Sequence, residues 1–323
     1  MLYPLKFKPI LLEKIWGGNK LKTDFNKKGK YEKCGESWEI SGIDGNISVI
    51  DNGFLKGNNL QEIIEIYMSD LLGEKVFKKF GLEFPLLIKI IHAQDDLSIQ
   101  VHPDNETAKK RHNAFGKTEI WYILDAENDA KLISGFSKQS NKEEFKEAIR
   151  AGNLNDLLNF EPVKHGDVFY IPSGRIHSIG KGIVLAEIQQ TSDITYRVYD
   201  FDRLDSNGKK RELHTELAED VLDYNVYDTY RTEYEKLPDR SNIIKESDYF
   251  TVSIIPLINI LERNYYEIDS FVVLMCVVGS VQIKTNNGSI DLKKGETVLI
   301  PAELDHVKMI PTAYAELLEV YIP

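Results

Sequence analysis

Residues 166–177 read GDVFYIPSGRIH, and this stretch joins a short apolar strand to a Pro-Ser-Gly turn and a histidine. Gly174 permits a positive φ in such a turn, so the chain can reverse and begin a new strand. We expect His177 to begin that strand and to face the interior of the β structure. Taken alone, the stretch is also compatible with a turn that carries an incidental histidine.

The second half of the chain repeats this pattern. Residues 295–306 read GETVLIPAELDH, in which a glycine is again followed by five residues, a proline and then a histidine five places later. Although chance could give a match this short, such self-similarity indicates two related β units, one in each half. Glu303 stands where the first copy has Gly174, and the second copy has no counterpart of the QVH sequence at 100–102. We therefore predict that the second unit binds no metal.

Most of the chain has the pattern of short strands. These segments are rich in Val, Ile, Tyr and Phe, and Gly, Pro, Asn and Asp separate them, which is typical of a β barrel or sandwich. Examples are 132–136, 167–172, 182–190, 195–200, 272–279, 280–285 and 296–301. The sequence therefore predicts a mainly β fold.

Two stretches carry apolar residues at helical spacing instead, at about 59–81 and 137–160. We interpret them as helical insertions that pack beside the β core. Residues 201–245 are the least regular, with an expected exposed turn at 205–210. We predict a first domain over 1–245 and a smaller C-terminal β domain over 246–323.

The composition excludes several classes of partner. The formal net charge is −11, which gives no general attraction to nucleic acid or to an anionic membrane. An anionic substrate would need a local cluster of Lys and Arg. Cys34 and Cys276 are the only cysteines and have no metal-binding or disulfide spacing. With no recognisable signal peptide and no apolar run long enough to cross a bilayer, we expect a cytoplasmic protein.

A second histidine lies in SIQVHP, residues 98–103. Residues two apart in a strand point to the same face, so Ser98, Gln100 and His102 project together. Alternation does not say whether that face is solvent or a pocket, and a surface strand is the competing interpretation. Glu119, in KTEIWY, lies on the strand expected to follow.

The spacing Gly166-x5-Pro172-x-Gly174-x2-His177 resembles the second signature motif of the cupin superfamily, which implies a jelly-roll barrel. Two imidazoles, a carboxylate and an amide oxygen suit zinc and would also accept iron, manganese or cobalt.

Several motifs together resemble the type I mannose-6-phosphate isomerases, in the short form typical of Gram-positive bacteria. They are KIWGG (14–18), GESWEIS (35–41), SIQVHPD (98–104), GKTEIWYIL (116–124), IPSGRIHSIG (171–180) and QQTSDITYRVYDFDR (189–203). The resemblance implies a cupin-type barrel with accessory helices and a second, smaller cupin-like domain at the C-terminus. It also implies one zinc ion per chain and the interconversion of mannose 6-phosphate and fructose 6-phosphate.

The resemblance also assigns roles to individual residues. Gln100, His102, Glu119 and His177 fall where the family has its zinc ligands. Arg197 falls at the active-site arginine, and Lys117 is the second catalytic candidate. The substrate- and phosphate-binding candidates are Ser98, Lys89 and Glu187.

The implied mechanism passes through an enediolate while the metal polarises the C1 and C2 oxygens. The general base stays open among a metal-bound hydroxide, Lys117, a carboxylate such as Glu187, and a histidine. We expect a monomer or weak homodimer that binds a small sugar phosphate. Two alternatives remain: a metal cupin of other chemistry, such as a dioxygenase or another sugar-phosphate isomerase, and a non-catalytic sugar-binding cupin.

Overall fold

The computed structural model describes residues 1–204 and 208–323. Within these ranges the chain forms twenty-two strands, six α-helices and two short 3₁₀ helices at Leu154–Leu157 and Tyr266–Ile268. The strands of the first half are β1 (Phe7–Lys8), β2 (Ile10–Gly18), β3 (Cys34–Ser41), β4 (Val49–Ile50), β5 (Leu86–Ala93), β6 (Ile99–Val101), β7 (Glu119–Ala126), β8 (Lys131–Phe136), β9 (Leu158–Pro162), β10 (Val168–Ile171), β11 (His177–Ser178), β12 (Ile183–Gln190) and β13 (Tyr196–Tyr199). The remaining strands are β14 (Asn242–Glu246), β15 (Thr251–Leu257), β16 (Leu261–Asn264), β17 (Val272–Val278), β18 (Ser280–Thr285), β19 (Gly288–Lys293), β20 (Thr297–Ile300), β21 (His306–Pro311) and β22 (Ala315–Tyr321). The helices are α1 (Lys20–Thr23), α2 (Leu60–Leu72), α3 (Glu74–Phe80), α4 (Asn105–His112), α5 (Lys142–Ala151) and α6 (Thr215–Glu219).

The first half of the chain forms two facing antiparallel sheets. One has the order β10-β7-β12-β5-β3-β2 and the other the order β13-β6-β11-β8-β9. Buried apolar side chains from both sheets pack between them, among them Trp121 and Leu185 from the first and Leu132 from the second. Because side chains alternate along a strand, the same inner face also carries the polar residues of the candidate site.

The second half repeats this arrangement. Its sheets have the orders β14-β15-β22-β17-β20 and β16-β21-β18-β19. The series β10-β7-β12-β5 therefore corresponds to β20-β17-β22-β15, and β6-β11-β8-β9 corresponds to β16-β21-β18-β19. The strands of the two repeated sequence stretches, β10 with β11 and β20 with β21, occupy matching places. The predicted mainly β fold with two related units is confirmed.

The two units share a core. The largest apolar cluster joins the outer face of the six-stranded sheet, with Ile88 and Ile188, to the outer face of the C-terminal five-stranded sheet, with Val273 and Leu318. The predicted domain limit at 245 and 246 falls inside β14, which belongs to the C-terminal sheet. The division into separate domains stays a prediction.

The predicted helical stretches differ in detail from the observed ones. Residues 59–81 form α2 and α3, which Gly73 separates with a φ of 91°. Residues 137–160 were expected to be helical throughout, but α5 ends at Ala151, just before Gly152, and the chain is already in β9 from Leu158. Gly152 adopts the left-handed conformation that ends helices, which explains the shorter helix.

Of the exposed turn expected at 205–210, residues 205–207 lie outside the described part of the chain, and 208–210 are exposed. No helix within the described ranges combines the length and the apolar character needed to cross a membrane.

Candidate metal centre and active site

Three predicted ligands meet between the two sheets of the first unit. His102 directly follows β6, Glu119 begins β7 and His177 begins β11. The Nε2 atom of His102 lies 3.6 Å from one carboxylate oxygen of Glu119, and Nε2 of His177 lies 3.5 Å from the other. All three side chains are almost completely buried. Among the described residues they form the one group of at least three His, Cys, Asp or Glu side chains with ligand atoms within 4.8 Å of one another.

Backbone contacts fix the orientation of both imidazoles. Nδ1 of His102 lies 2.9 Å from the carbonyl oxygen of Ile194, and Nδ1 of His177 lies 2.8 Å from that of Arg175. A carbonyl oxygen only accepts hydrogen bonds, so each Nδ1 carries the proton and donates it. Each Nε2 therefore presents a lone pair toward Glu119, which is the tautomer a metal ligand requires.

The donor set fits a divalent cation. Nε2 of His177 and both carboxylate oxygens of Glu119 are buried and have no hydrogen-bond partner in the part of the chain that the structure describes. Buried polar atoms without partners are costly, and a bound cation would satisfy all of these at once. Ligands at ordinary zinc distances in a tetrahedron are separated by about 3.4 Å, close to the two distances observed.

Burial sets the charge state of the site. Desolvation lowers the pKa of His177 to about 3 and that of His102 well below its usual value, with Lys117 acting in the same direction on both. Both imidazoles are therefore neutral near pH 7, as metal coordination requires. Burial, followed by the charge of Glu187, raises the pKa of Glu119. A cation in the site would supply the positive charge that keeps this carboxylate ionised.

Lys117 extends into the same cluster. Its ammonium nitrogen lies 3.1 Å from Nε2 of His102 and 3.0 Å from a carboxylate oxygen of Glu119. The contact with Glu119 is an ion pair whose angles are not those of a hydrogen bond, so the carboxylate oxygen has no hydrogen-bond partner. The structure thus places the predicted catalytic lysine beside the candidate ligands.

Gln100 and Arg197 lie on the same face of the sheet as His177. Gln100 is directly opposite His177 in the β6–β11 pair and opposite Arg197 in the β6–β13 pair. Directly opposed residues in antiparallel strands share a face. Nη1 of Arg197 donates to the carbonyl oxygen of Glu212 at 2.8 Å. The ligand role of Gln100 and the catalytic role of Arg197 stay predictions.

The substrate-binding candidates lie in the same interior. Lys89 and Glu187 are opposite each other on β5 and β12, and the lysine Nζ donates to Glu187 at 2.8 Å and to Gln189 at 2.7 Å. Ser98 is buried two residues before Gln100. Lys89 is thus already engaged by two oxygen acceptors, and a role of these residues in binding substrate stays a prediction.

Sequence reasoning missed three further residues of this interior, Glu36, Trp38 and Trp121. The indole of Trp38 donates to Glu36 at 2.7 Å, and the indole of Trp121 donates to Glu187 at 3.1 Å. Glu36 is also 3.1 Å from Lys14. The available signal was the alternation of Glu36 with Trp38 in GESWEIS, which places the carboxylate on the same strand face as a large aromatic side chain.

Two family models match this chain. The model described as phosphomannose isomerase type I, catalytic domain, matches residues 5–136, and the model described as mannose-6-phosphate isomerase, cupin domain, matches residues 240–314. The Bacillus subtilis mannose-6-phosphate isomerase ManA is 37% identical over 97% of both chains. This chain belongs to the type I phosphomannose isomerase family. The predicted resemblance is confirmed, and so is the cupin character of the fold.

Other relatives agree with this assignment. The probable mannose-6-phosphate isomerase GmuF of Bacillus subtilis is 43% identical over 78% of this chain and 79% of its own. A crystal structure of the mannose 6-phosphate isomerase from Bacillus subtilis superposes with a TM-score of 0.90 at 34% identity, covering 99% of this chain and 100% of that one. A solved structure from Archaeoglobus fulgidus, at 21% identity and a TM-score of 0.79, shows the shared fold.

Proposed function

We propose that this protein is a zinc-dependent isomerase that interconverts D-mannose 6-phosphate and D-fructose 6-phosphate. The observation that carries the proposal is the buried His102–Glu119–His177 cluster in a member of the phosphomannose isomerase family. Gln100, on the same face as His177, is the proposed fourth ligand. Two neutral imidazoles and a carboxylate are a common catalytic donor set for zinc.

When bound, the cation would act as a Lewis acid that stabilises the negative charge developing on the sugar oxygens as a carbon loses its proton. The chain itself supplies positive charge nearby. Lys117 lies within the ligand cluster, and Arg197 lies on the same face one strand away. Positive groups held in a dry interior act on developing charge more strongly than they would in water.

The contacts of Glu187 argue against its being the general base. Burial alone would raise the pKa of this carboxyl, but Lys89 and then Lys117 outweigh burial and lower it. The indole of Trp121 donates to its second oxygen. A carboxylate stabilised in this way is a weak base near pH 7. We propose instead that Glu187 keeps Lys89 and the barrel interior in a fixed arrangement.

The decisive experiment combines metal analysis with an isomerase assay. The purified protein is stripped of metal, reloaded with zinc, manganese or cobalt, and mixed with mannose 6-phosphate while fructose 6-phosphate formation is followed by a coupled reaction. We expect activity only after reloading, with one metal ion bound per chain. Undiminished turnover in protein shown to be metal-free would contradict the metal mechanism. Full metal loading without fructose 6-phosphate formation would contradict the proposed activity.

We also propose a cytoplasmic location and a small sugar phosphate as the partner, in a monomer or weak homodimer. Both cysteines, Cys34 and Cys276, are buried and free, which is compatible with a reducing compartment.

A further inference from the structure

The three residues before Glu119 are buried although they precede the strand. Gly116, Lys117 and Thr118 all come before β7, which begins at Glu119. Their backbone N–H groups need acceptors from elsewhere in the chain, because a buried N–H group without a partner is costly. Lys117 donates its N–H to the carbonyl oxygen of Pro103 at 3.1 Å. The N–H groups on either side of it are bound by side chains.

Asn105 and Gln190 supply these two acceptors. The N–H of Gly116 donates to Oδ1 of Asn105 at 2.9 Å, and the N–H of Thr118 donates to Oε1 of Gln190 at 2.9 Å. The two side chains also bind each other, because Nε2 of Gln190 donates to the same Oδ1 of Asn105 at 3.0 Å. We call Asn105 and Gln190 the amide pair. It holds the backbone on both sides of Lys117, whose ammonium lies among the candidate metal ligands.

Thr118 links the amide pair to the segments that carry two of these ligands. It directly precedes Glu119, and its carbonyl oxygen accepts from the backbone N–H of Gln190 at 3.1 Å. Its Oγ1 accepts from the N–H of Ser173 at 3.3 Å, in the turn that leads to His177. The amide pair is therefore connected, through Thr118, to the backbone that positions both Glu119 and His177.

Asn105 provides the link to the segment of the third ligand. It is the first residue of α4 and lies three residues after His102. Gly116 packs directly against this segment, since a Cβ on Gly116 would lie 2.5 Å from the carbonyl carbon of Asp104 and 2.6 Å from the backbone nitrogen of Asn105. The segments that carry His102 and Lys117 therefore meet backbone to backbone, and the amide pair lies at their junction.

We propose that Asn105 and Gln190 are positioning residues that hold Lys117 and Glu119 in the arrangement that metal binding and catalysis require. This inference rests on the proposed function, because both residues act through a proposed ligand and the proposed catalytic lysine. The Lys117 ammonium lies 3.0 Å from Glu119 and 3.1 Å from His102, so a small backbone shift would separate these groups. A misplacement of about 1 Å in an active site can cost about 100-fold in rate.

Gln190→Met tests one member of the amide pair. This change removes both hydrogen-bonding groups while it keeps the approximate size of the side chain. We expect the affinity for zinc, measured by competition with a chelator, to fall about tenfold or more, as is usual when a group that orients a ligand is lost. The kcat for mannose 6-phosphate should fall by a similar factor while KM changes less than about twofold. Wild-type zinc affinity together with wild-type kcat would overturn the proposal.

Asn105 allows a test by rescue. Its side chain is exposed, so Asn105→Ala leaves no buried cavity. We expect Asn105→Ala to bind zinc more weakly and, at equal zinc loading, to exchange the amide hydrogen of Gly116 about fivefold faster or more. Asn105→Asp keeps an oxygen acceptor, and an acidic residue is favourable in the first turn of α4. We expect Asn105→Asp to match the wild type in both measurements, and equal losses in the two variants would overturn the proposal.

Asn242 is a matched control for Gln190. It is 5% exposed, against 6% for Gln190, and its Oδ1 also accepts from a backbone N–H, that of Leu237 at 3.0 Å. It lies on β14 in the C-terminal sheet. We expect Asn242→Leu to lower the unfolding midpoint, as Gln190→Met does, while it keeps wild-type zinc affinity and kcat. An equal loss of zinc affinity in Asn242→Leu would show that general destabilisation explains the effect, and the proposal would be overturned.

Zinc affinity and amide exchange do not depend on turnover, so the positioning role and the proposed function can fail separately. If the wild type forms no fructose 6-phosphate but Gln190→Met and Asn105→Ala lose zinc affinity, the proposed function fails and the positioning role stands. If the wild type is an active isomerase and both variants match it in zinc affinity and kcat, the positioning role fails and the proposed function stands.

Discussion

The ammonium nitrogen of Lys89 lies 2.8 Å from a carboxylate oxygen of Glu187, and the two residues face each other across β5 and β12. Their side chains are 8% and 4% exposed. Gln189 accepts a second hydrogen bond from the ammonium, and Trp121 donates to the other carboxylate oxygen. Both charged groups are therefore buried, but each has a further hydrogen-bond partner besides the other. A buried ion pair is tolerated under this condition.

Removing one member of this pair should destabilise the protein strongly. Lys89→Met leaves Glu187 charged and buried, with an expected loss of about 3–5 kcal/mol in the free energy of unfolding. The double variant Lys89→Met with Glu187→Gln should lose less than Lys89→Met alone, because no isolated charge remains. Urea unfolding of the wild type, both single variants and the double variant gives the coupling energy. A double variant whose loss of stability equals the sum of the two single losses would show that the two charges are not coupled.

Variants of the candidate ligands should differ in the amount of metal that they bind. His102→Ala and His177→Ala should each bind little or no metal, because each removes a lone pair from the buried cluster. Gln100→Ala should retain metal with weaker affinity, since an amide oxygen is a weak ligand. His306 repeats the sequence position of His177 but is 62% exposed, so His306→Ala is the control and should bind metal like the wild type. Metal analysis after dialysis checks the series, and a fully loaded His177→Ala variant would refute the site.

Arg197→Ala separates catalysis from metal binding. The buried Nε donor of this arginine has no acceptor among the residues described, so it is available to an oxygen of the substrate. We expect this variant to keep its metal while kcat falls about 100-fold or more, the usual cost of losing a donor to developing negative charge. Metal analysis and steady-state kinetics on one preparation provide the measurement. Loss of metal in this variant would instead make Arg197 a structural residue.

The sequence predicted the candidate ligands His102, Glu119 and His177 from strand alternation and turn spacing, which are local properties, together with the family resemblance. The QVH and PSGRIH sequences each place a histidine at a strand end, and the repeated stretch predicted the second β unit. The bonds of Lys89 were not predictable in this way. Its partners, Glu187 and Gln189, are about one hundred residues away, and alternation indicates which residues share a face but not which strand lies opposite.

The hydrogen bonds that Arg203 and Arg211 donate to Asp200 were beyond sequence analysis for a related reason. Residues 201–245 have no periodicity, so no pattern indicates that Arg203 and Arg211 meet at Asp200. The apolar core that the two units share was not predictable from the sequence either. Strand β12 has apolar residues on both of its faces, but its sequence does not indicate that the C-terminal sheet covers the outer face.

Gly174 should be essential to the turn that positions His177. Its φ is +87°, and a Cβ at this position would lie 2.9 Å from the carbonyl oxygen of Val221. Its N–H also donates to the carbonyl oxygen of His102 at 2.9 Å. We expect Gly174→Ala to cost about 1–3 kcal/mol of stability through backbone strain and to weaken metal binding.

Gly152 supplies the control for this substitution. It ends α5 with a φ of +70°, but no described atom lies within 4 Å of a Cβ at this position. Gly152→Ala should therefore cost only about 1–2 kcal/mol, from the left-handed conformation alone, and leave metal affinity unchanged. Thermal unfolding and metal titration of the two variants distinguish the effects. Unchanged metal affinity in Gly174→Ala would show that this turn does not control the site.

The burial of His92 should make the free energy of unfolding depend on pH. It is completely buried, and neither ring nitrogen has a hydrogen-bond partner within the described ranges. Burial, followed by the charge of Lys20, lowers its pKa from 6.5 to about 4. As pH falls from about 6.5 toward 4, the unfolded chain takes up a proton that the folded chain does not, so the folded state loses stability. Between pH 7 and pH 5 the wild type should lose about 2 kcal/mol more than His92→Gln at the same metal loading. Parallel pH profiles of unfolding free energy for the two proteins would show that His92 does not contribute.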